Sequence, residues 1–160
     1  MLEIAIRRAA AEDASLITDL IKKMIVDMES YGGYPVNTSP GVWDSLESNV
    51  RANCLRQEYM YLIAEHPLHH AEVYGMAAAN LESLEDIFIS QKRLHISALY
   101  TTPTARRQGV ARQMLQRLFQ WGQQLNVKEI DLNVLVANPA RNLYEQFGFK
   151  PREISMVSVL

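Results

Sequence analysis

The feature that most constrains the fold is a strand-like run that ends at a proline and leads through a basic turn into a helix. The run covers residues 94–102, and Pro103 closes it. A pair of arginines and Gly109 follow, and residues 110–125 then repeat apolar side chains at helical spacing. A strand that feeds a helix through a short turn requires a fold in which helices pack on a sheet.

Length, charge and cysteine content set the class of protein. The 160 residues have the length of one domain, residues 1–160, and 48% of them are hydrophobic, which is enough to build a core. A formal net charge of −2 argues against a general nucleic-acid or membrane-surface binder. The single cysteine, Cys54, excludes an internal disulfide and fits a reducing compartment. Because we find neither a transmembrane stretch nor a signal peptide, we expect a cytoplasmic protein.

Apolar periodicity along the chain predicts the element order β-α-α-β-β-β-α-β-α-β. The predicted strands cover residues 3–8, 59–65, 72–81, 94–102, 129–136 and 149–159, with a further short strand at 87–89. The predicted helices lie between residues 11 and 31 and over 41–56, 110–125 and 139–147. Crossover helices in the C-terminal half imply parallel strand pairs, whereas the N-terminal strands look antiparallel. We therefore predict one α+β (mixed α/β) domain with a mixed six- to seven-stranded sheet and about four helices.

The basic turn is predicted to hold phosphate. Unpaired amides of the first helical turn, the helix dipole and the guanidinium groups of Arg106, Arg107 and Arg112 converge there. At Gly109 the chain can take a positive φ or approach a ligand closely, and Ala111 keeps the first turn narrow. The absence of a Gly-x-x-x-x-Gly-Lys-[Ser/Thr] motif argues against a P-loop nucleotidase. An ordinary solvated helix start is the alternative explanation.

A second segment, residues 138–149, combines a predicted short helix with a tyrosine that can reach a cleft. Pro139 suits the first turn of this helix and Gly148 suits its C-terminal cap. Tyr144 lies beside the inward-facing residues, where its ring can be partly buried while its hydroxyl faces a cleft. A core tyrosine that only packs is the alternative.

Taken together, the two segments resemble the GNAT superfamily of N-acetyltransferases. The family pattern [Arg/Gln]-x-x-Gly-x-[Gly/Ala] is met by Arg106, Gly109 and Ala111. The second family pattern is met by Ala140, Tyr144, Gly148 and Phe149. The resemblance covers residues 94–151, and the element order extends it over nearly the whole chain. It implies a GNAT-like domain in which two neighbouring parallel strands, ending near Thr101 and Leu135, splay apart.

The resemblance implies an acyltransferase that uses acetyl-coenzyme A as co-substrate and no metal. Amides after the basic residue would hold the pyrophosphate, and the strand before it would pair with the pantetheine arm like an added strand. Tyr144 would protonate the leaving thiolate, and a backbone amide of the splayed strand would stabilise the oxyanion. The cofactor-binding residues implied are Leu99, Tyr100, Thr101, Arg106, Arg107, Gln108, Gly109, Val110, Ala111, Arg112, Asn138 and Tyr144.

The sequence departs from the family pattern at two places. Many relatives carry an asparagine seven positions before the tyrosine, where this chain has Ala137 and, one residue later, Asn138. Many also carry a glutamate base on the strand before the turn, where this chain has Ser97. His95, two residues earlier and on the same face by a period of two, is the candidate catalytic base, and a packing or surface histidine is the alternative. Other carboxylates within possible reach of the cleft are Glu72, Glu82 and Glu85.

The acceptor is predicted to be a primary amine of a small molecule or peptide, but its identity is not readable from the sequence. The turn with Tyr31 and Tyr34 either lines the acceptor pocket or caps the core. Three histidines, His66, His69 and His70, have a spacing that binds metal weakly, and an exposed turn explains them better. A homodimer is suggested by the resemblance only.

Two other functions compete with acetyl transfer. A regulatory module that binds coenzyme A without catalysis is the first alternative, because the expected strand glutamate is missing. Nucleic-acid binding through Arg106, Arg107, Arg112 and Arg117 is the second. Three of these arginines cluster at one turn instead of lining a long face, and the net charge is negative, so we expect no nucleic-acid partner.

Overall fold

The structure is a computed structural model that describes residues 1–37, 39–84 and 92–160. Within these residues one sheet has the strand order β1-β2-β3-β4-β5. The strands are β1 (Ala5–Arg8), β2 (Tyr59–Glu65), β3 (Val73–Ser83), β4 (Lys92–Thr101) and β5 (Glu129–Leu132). The helices are α1 (Ala14–Glu29), α2 (Pro40–Cys54), α3 (Val110–Gln124) and α4 (Arg141–Gln146).

The sheet is mixed, as predicted. Strands β1 to β4 pair antiparallel with their neighbours, and β4 pairs parallel with β5. The parallel pairing runs only from Arg93 opposite Glu129 to Ile96 opposite Leu132. Beyond Ile96, β4 continues to Thr101 while β5 ends at Leu132. Residues 97–101 therefore have no strand partner on the β5 side among the described residues, which is the opening between parallel strands that the resemblance implied.

Helices cover both faces of the sheet. On one face, here called the α1 face, α1 and α2 pack on buried side chains that include Ile63, Met76 and Tyr100. On the other, the α3 face, α3 and α4 pack on Leu62, Leu94 and Ile96. The side chains that α3 buries completely are Met114, Leu115 and Leu118. Each of these contributes about 1.5–3 kcal/mol by leaving water, so α3 and the turn before it are firmly held to the sheet.

A β-bulge lies in the middle of β4. Ala78 of β3 pairs with Ala98, but the next residue, Ala79, pairs with Ile96, which leaves Ser97 without a partner on β3. The bulge interrupts the alternation of side chains, and Ala98 and Tyr100 continue the α1 face on which His95 lies. The strict period of two that placed His95 and Ser97 on one face therefore does not hold across residue 97.

Several predicted element ends differ from the structure. The last predicted strand, over 149–159, is wrong, because residues 150–160 are exposed and form no strand. β5 ends at Leu132 instead of residue 136, and α4 begins at Arg141 instead of residue 139. The described sheet therefore has five strands instead of six to seven. For residues 149–159, the alternating side chains make a strand possible, but a strand forms only where a neighbouring backbone pairs with it. The predicted strand at 87–89 lies outside the described residues.

Candidate active site

The turn between β4 and α3 has an unusual backbone. A 3-10 turn at Pro103–Ala105 is followed by Arg107 at φ 64° and by Gly109 at φ 86°, which is the N-cap of α3. A Cβ at Gly109 would meet no atom within 4 Å, so the glycine is needed for its conformation and not for space. For Arg107, the left-handed conformation costs about 1–2 kcal/mol. The chain thus holds a strained loop at the position predicted to bind phosphate.

Six consecutive amides at this turn are free to donate. The first backbone hydrogen bond of α3 runs from the Gln113 amide to the Gly109 carbonyl, at 3.0 Å. Within the described part of the chain, the N–H groups of residues 107–112 donate no hydrogen bond, and no side chain caps the helix. These donors lie at the positive end of a 15-residue helix. Free amides at the positive end of a helix suit an anion such as a phosphate.

The three arginines of the turn have different partners. Arg106 forms an ion pair with Asp27 of α1. Arg112 donates a hydrogen bond to the side chain of Gln146 on α4. Arg107 is exposed and forms no ion pair with a described residue. The structure therefore brings all three guanidinium groups to the turn, but two of them also tie it to neighbouring helices.

The other predicted cofactor residues surround the opening. The end of β4 places Leu99 on the α3 face and Tyr100 on the α1 face, where burial raises the pKa of the phenol. The side chain of Val110 is buried and anchors the start of α3. Asn138 is half-buried, and its Oδ1 accepts a hydrogen bond of 2.9 Å from the Ala140 amide, which shapes the entry to α4. Of the remaining predicted cofactor residues, Gln108 is exposed, and Thr101 and Ala111 are half-exposed.

Tyr144 is a buried tyrosine on α4. Its ring packs into the α3-face core, with the Phe149 ring nearly perpendicular to it at 5.9 Å between centroids. No hydrogen bond joins its hydroxyl to another of the described residues. Burial raises the pKa of Tyr144 to about 12. The tyrosine is therefore protonated at neutral pH and offers a proton or a hydrogen bond.

His95 belongs to a chain of polar side chains that crosses three strands, here called the Glu82–His95 network. His95 Nδ1 is 2.8 Å from Asp131 Oδ1, and Arg93 Nη1 is 2.9 Å from Asp131 Oδ2. The Nε of Arg93 donates to Glu82 Oε2 at 2.9 Å. Burial raises the pKa of the Glu82 carboxyl, but hydrogen bonds from Arg93 and Asn80 outweigh it and lower the pKa overall. The network lies at the start of β4, just before β4 and β5 separate.

The remaining candidates lie elsewhere or already have partners. The side chain of Glu72 accepts a hydrogen bond from the Tyr74 hydroxyl, and Glu85 lies outside the described residues. The rings of His66 and His69 stack at 4.7 Å, and His70 Nδ1 lies 2.6 Å from Glu65. In the described residues, no group of three or more metal-ligating side chains comes together. Tyr31 is half-exposed and Tyr34 is exposed, so their part in an acceptor pocket stays a prediction.

Sequence reasoning missed the partners of His95. Asp131 lies 36 residues from His95, and only the parallel register of β4 and β5 brings the two together. Arg93 was visible two residues before His95, at the spacing that shares a strand face. That spacing indicated a polar strand face around His95, but it did not identify Asp131 as the partner of the histidine.

Similarity to known proteins identifies the family of this chain. The model of the acetyltransferase (GNAT) family matches residues 28–149. The chain belongs to this family. No curated protein sequence matches this GNAT chain. In the described residues, no helix is both long and apolar enough to cross a membrane.

Three solved structures show the same fold. A predicted acetyltransferase from Clostridium acetobutylicum, solved with acetyl-coenzyme A, is 22% identical over 98% of this chain and 96% of that one, with a TM-score of 0.79. A transcriptional regulator from Bacillus halodurans is 16% identical over 99% of this chain and 100% of that one, with a TM-score of 0.75. An aminoglycoside N-acetyltransferase in complex with coenzyme A is 16% identical over 99% of this chain and 95% of that one, with a TM-score of 0.71.

Proposed function

We propose that this GNAT protein transfers an acetyl group from acetyl-coenzyme A to a primary amine by direct attack in a ternary complex. The observation that carries the proposal is the run of free amides at residues 107–112, directly after a strand with an open edge. The solved acetyltransferase with acetyl-coenzyme A and the aminoglycoside enzyme with coenzyme A support the choice of ligand. Acetyl-coenzyme A supplies an acyl thioester, which an amine can attack.

The β4–α3 turn fits the pyrophosphate of the cofactor. Its amides and the helix dipole favour negative charge, and Arg107 adds a cation with no other partner among the described residues. Gly109 sustains the positive φ that directs these amides outward. From the turn, the free edge of residues 97–101 leads back along β4 for about 17 Å at 3.4 Å per residue. An extended pantetheine arm can pair with this edge as an added strand.

Two side chains suit the proton transfers. His95 lies on the α1 face, one residue before the last β4–β5 pair, and can take a proton from the amine. Tyr144 comes from the α3 face and can donate to the departing sulfur. With a pKa of about 12, its phenol is a weaker acid than a thiol of pKa about 8.5, so it serves better as a hydrogen-bond donor than as a full proton donor.

One experiment tests the cofactor site. Gly109→Glu places a carboxylate among the free amides, and we expect the affinity for acetyl-coenzyme A in calorimetry to fall by about 100-fold. Gly32→Glu is the matched control, because Gly32 has φ 87° and, like Gly109, has no atom within 4 Å of the position that a Cβ would take. It adds the same charge and the same strain away from the turn. Equal affinity of wild type and Gly109→Glu would refute the site.

A regulatory module that binds coenzyme A without catalysis is the second candidate. Ser97 stands where a glutamate base was expected, and the Bacillus halodurans neighbour is described as a transcriptional regulator. Release of free thiol from acetyl-coenzyme A in the presence of an amine panel separates the two functions. We expect amine-dependent release. Tight cofactor binding with no release for any amine would favour the module.

Homodimer formation also belongs to this proposal. Residues 150–160 are exposed and carry large apolar side chains, among them Ile154, Met156 and Val159. Association of two copies would remove such side chains from water, at about 25 cal/mol for each Å² buried. We expect sedimentation velocity to report a dimer that Ile154→Glu weakens, and a monomer at all concentrations would exclude it. A cytoplasmic location stays a prediction from the sequence.

A further inference from the structure

A carboxylate lies directly beside the candidate base. Asp131 on β5 is the cross-strand partner of His95 on β4, and its Oδ1 is 2.8 Å from His95 Nδ1. Its second oxygen, Oδ2, is 2.9 Å from Arg93 Nη1. Both oxygens of Asp131 are therefore engaged by side chains of the neighbouring strand. This leaves the carboxylate little freedom to turn away from the histidine.

The chemistry of this contact fixes the position of one proton. An ionised carboxylate can only accept hydrogen bonds, so the 2.8 Å contact requires a proton on His95 Nδ1. In a neutral imidazole the free lone pair then lies on Nε2. Among the described residues Nε2 has no hydrogen-bond partner, and it is the atom left to meet a substrate.

We propose that Asp131 is a positioning residue that holds His95 in the Nδ1-protonated tautomer, with Nε2 directed to accept the proton of the attacking amine. This inference rests on the proposed function. In the step itself, the amine nitrogen bonds to the acyl carbon and the carbon–sulfur bond breaks. The proton lost by the nitrogen moves to His95 Nε2, and the electron pair leaves with the sulfur. Asp131 contacts His95, Arg93 and Arg152, and it takes no part in the bonds that form and break.

Arg93 and Glu82 extend the support to a third strand. Arg93 bonds Glu82 through Nε and Asp131 through Nη1, so its guanidinium cannot rotate without breaking one of the two contacts. The charged groups around His95 are Glu82 from β3, Arg93 from β4, Asp131 and Glu129 from β5, and Arg152. Arg152 lies 4.0 Å from Asp131 through Nη2 and 2.8 Å from Glu129 through Nη1. Of these three carboxylates, Asp131 is the one paired with the imidazole, so its specific contribution is orientation of the ring.

The first test reads the tautomer without any substrate. Nitrogen NMR of the histidine rings in the full-length protein distinguishes a proton on Nδ1 from one on Nε2. We expect His95 in the wild type to carry it on Nδ1. Asp131→Asn keeps the shape but allows the amide to donate, so the Nε2-protonated form should increase. Glu129→Gln is the matched control: it removes a carboxylate from the same strand, paired with Arg152 at 2.8 Å instead of with His95, and should leave the tautomer unchanged.

The second test uses acetyl transfer. Asp131→Asn should lower kcat by about tenfold or more while the KM for acetyl-coenzyme A stays within twofold. In a background that already carries His95→Ala, Asp131→Asn should have no further effect on kcat, because the carboxylate acts through the histidine. Glu129→Gln should behave as wild type in both measurements.

Three results would overturn the inference. They are a wild-type His95 with its proton on Nε2, an equal tautomer change in Glu129→Gln and Asp131→Asn, and additive kcat losses of His95→Ala and Asp131→Asn. If no amine is acetylated by the wild type, the proposed function fails, and the tautomer measurement still decides whether Asp131 holds His95 as stated.

Discussion

The β4–α3 turn and the Glu82–His95 network lie at opposite ends of β4 and are built in different ways. The turn draws its donors from consecutive residues, 107–112, and these amides have no partner in the described chain. The network draws its side chains from β3, β4 and β5, and its members are paired with one another. One end of the strand offers several free donors to a ligand, whereas the paired side chains at the other end leave His95 Nε2 without a partner among the described residues.

This difference indicates how each end contributes. Free amides at a helix start bind an anion by their number and direction, so a ligand replaces water at little structural cost. A paired network cannot bind an anion or a cation without breaking an existing contact, but it can hold one ring nitrogen in a fixed place. The turn is therefore suited to affinity and the network to orientation, and β4 links the two.

The largest expected effect comes from Gly75 of β3, which packs closely against β4, the strand that carries both the turn and the network. A Cβ on Gly75 of β3 would overlap the carbonyl oxygen of Tyr100 and lie 3.1 Å from Thr101 Cα, both on β4. Gly75→Ala should lower the free energy of unfolding by about 3 kcal/mol. Urea denaturation measures it. Gly41→Ala, at a helix position with open space, should instead raise stability slightly. An unchanged free energy of unfolding in Gly75→Ala would show that β4 can move away from β3 without loss of stability.

Next in size is the loss of the candidate base. His95→Ala should lower kcat for acetyl transfer by about 100-fold, because general base catalysis typically supplies that much. The dissociation constant of acetyl-coenzyme A in calorimetry should not change, since the turn is at the other end of β4. A loss of cofactor affinity equal to the loss of turnover would contradict the separation of the two ends.

A smaller effect on turnover is expected for the tyrosine. Tyr144→Phe removes the hydroxyl and keeps the ring that packs against Phe149. We expect kcat to fall by about tenfold, within the range for one lost hydrogen bond to a charged group. Stopped-flow measurement of thiol release checks it. Unchanged turnover on a true substrate would remove Tyr144 from the mechanism.

Burial of Tyr144 also predicts a dependence of stability on alkaline pH. Its pKa is about 12 in the folded chain and 10 as the ordinary value, so the unfolded chain loses this proton first. The stabilisation is complete below pH 10 and is lost as the pH rises towards 12. Between pH 9 and 11, wild type should lose about 1 kcal/mol more stability than Tyr144→Phe. Parallel curves for the two proteins would mean that the phenol is not desolvated.

The smallest effect concerns the ion pair that ties the turn to α1. Asp27 holds Arg106 and places a negative charge near the free amides. Asp27→Asn should raise the affinity for acetyl-coenzyme A by about threefold, since exposed ion pairs are worth about 0.2–1 kcal/mol. Asp19→Asn on the same helix is the control. A lower affinity of Asp27→Asn would show that the pair positions Arg106 for the ligand.

Particular elements show where sequence reasoning succeeds. β2 was predicted at its observed ends, residues 59–65, and α3 to within one residue. Both carry apolar side chains at the period of their structure and are bounded by turn residues, so local information suffices. Gly109 was predicted to need a positive φ or a close approach, and the positive φ is confirmed.

Other features depended on contacts between distant segments. The strand expected at 149–159 has the right alternation but no neighbouring strand to pair with in the described chain. The bulge at Ser97 is a property of the β3–β4 register, and no residue type in the segment predicts it. The acid beside His95 was missed for the same reason, because pairing partners across parallel strands are separated by a whole crossover.

The sequence by itself determined the family, the order of the elements as far as α4 and the position of the glycine turn before α3. These depend on neighbouring residues: a proline, a basic pair, a glycine and an amphipathic helix act within one short segment. Only the tertiary structure decided where β4 and β5 separate and which carboxylate meets His95. Strand register is set by packing of the whole sheet, and a shift of one residue would turn Asp131 to the opposite face.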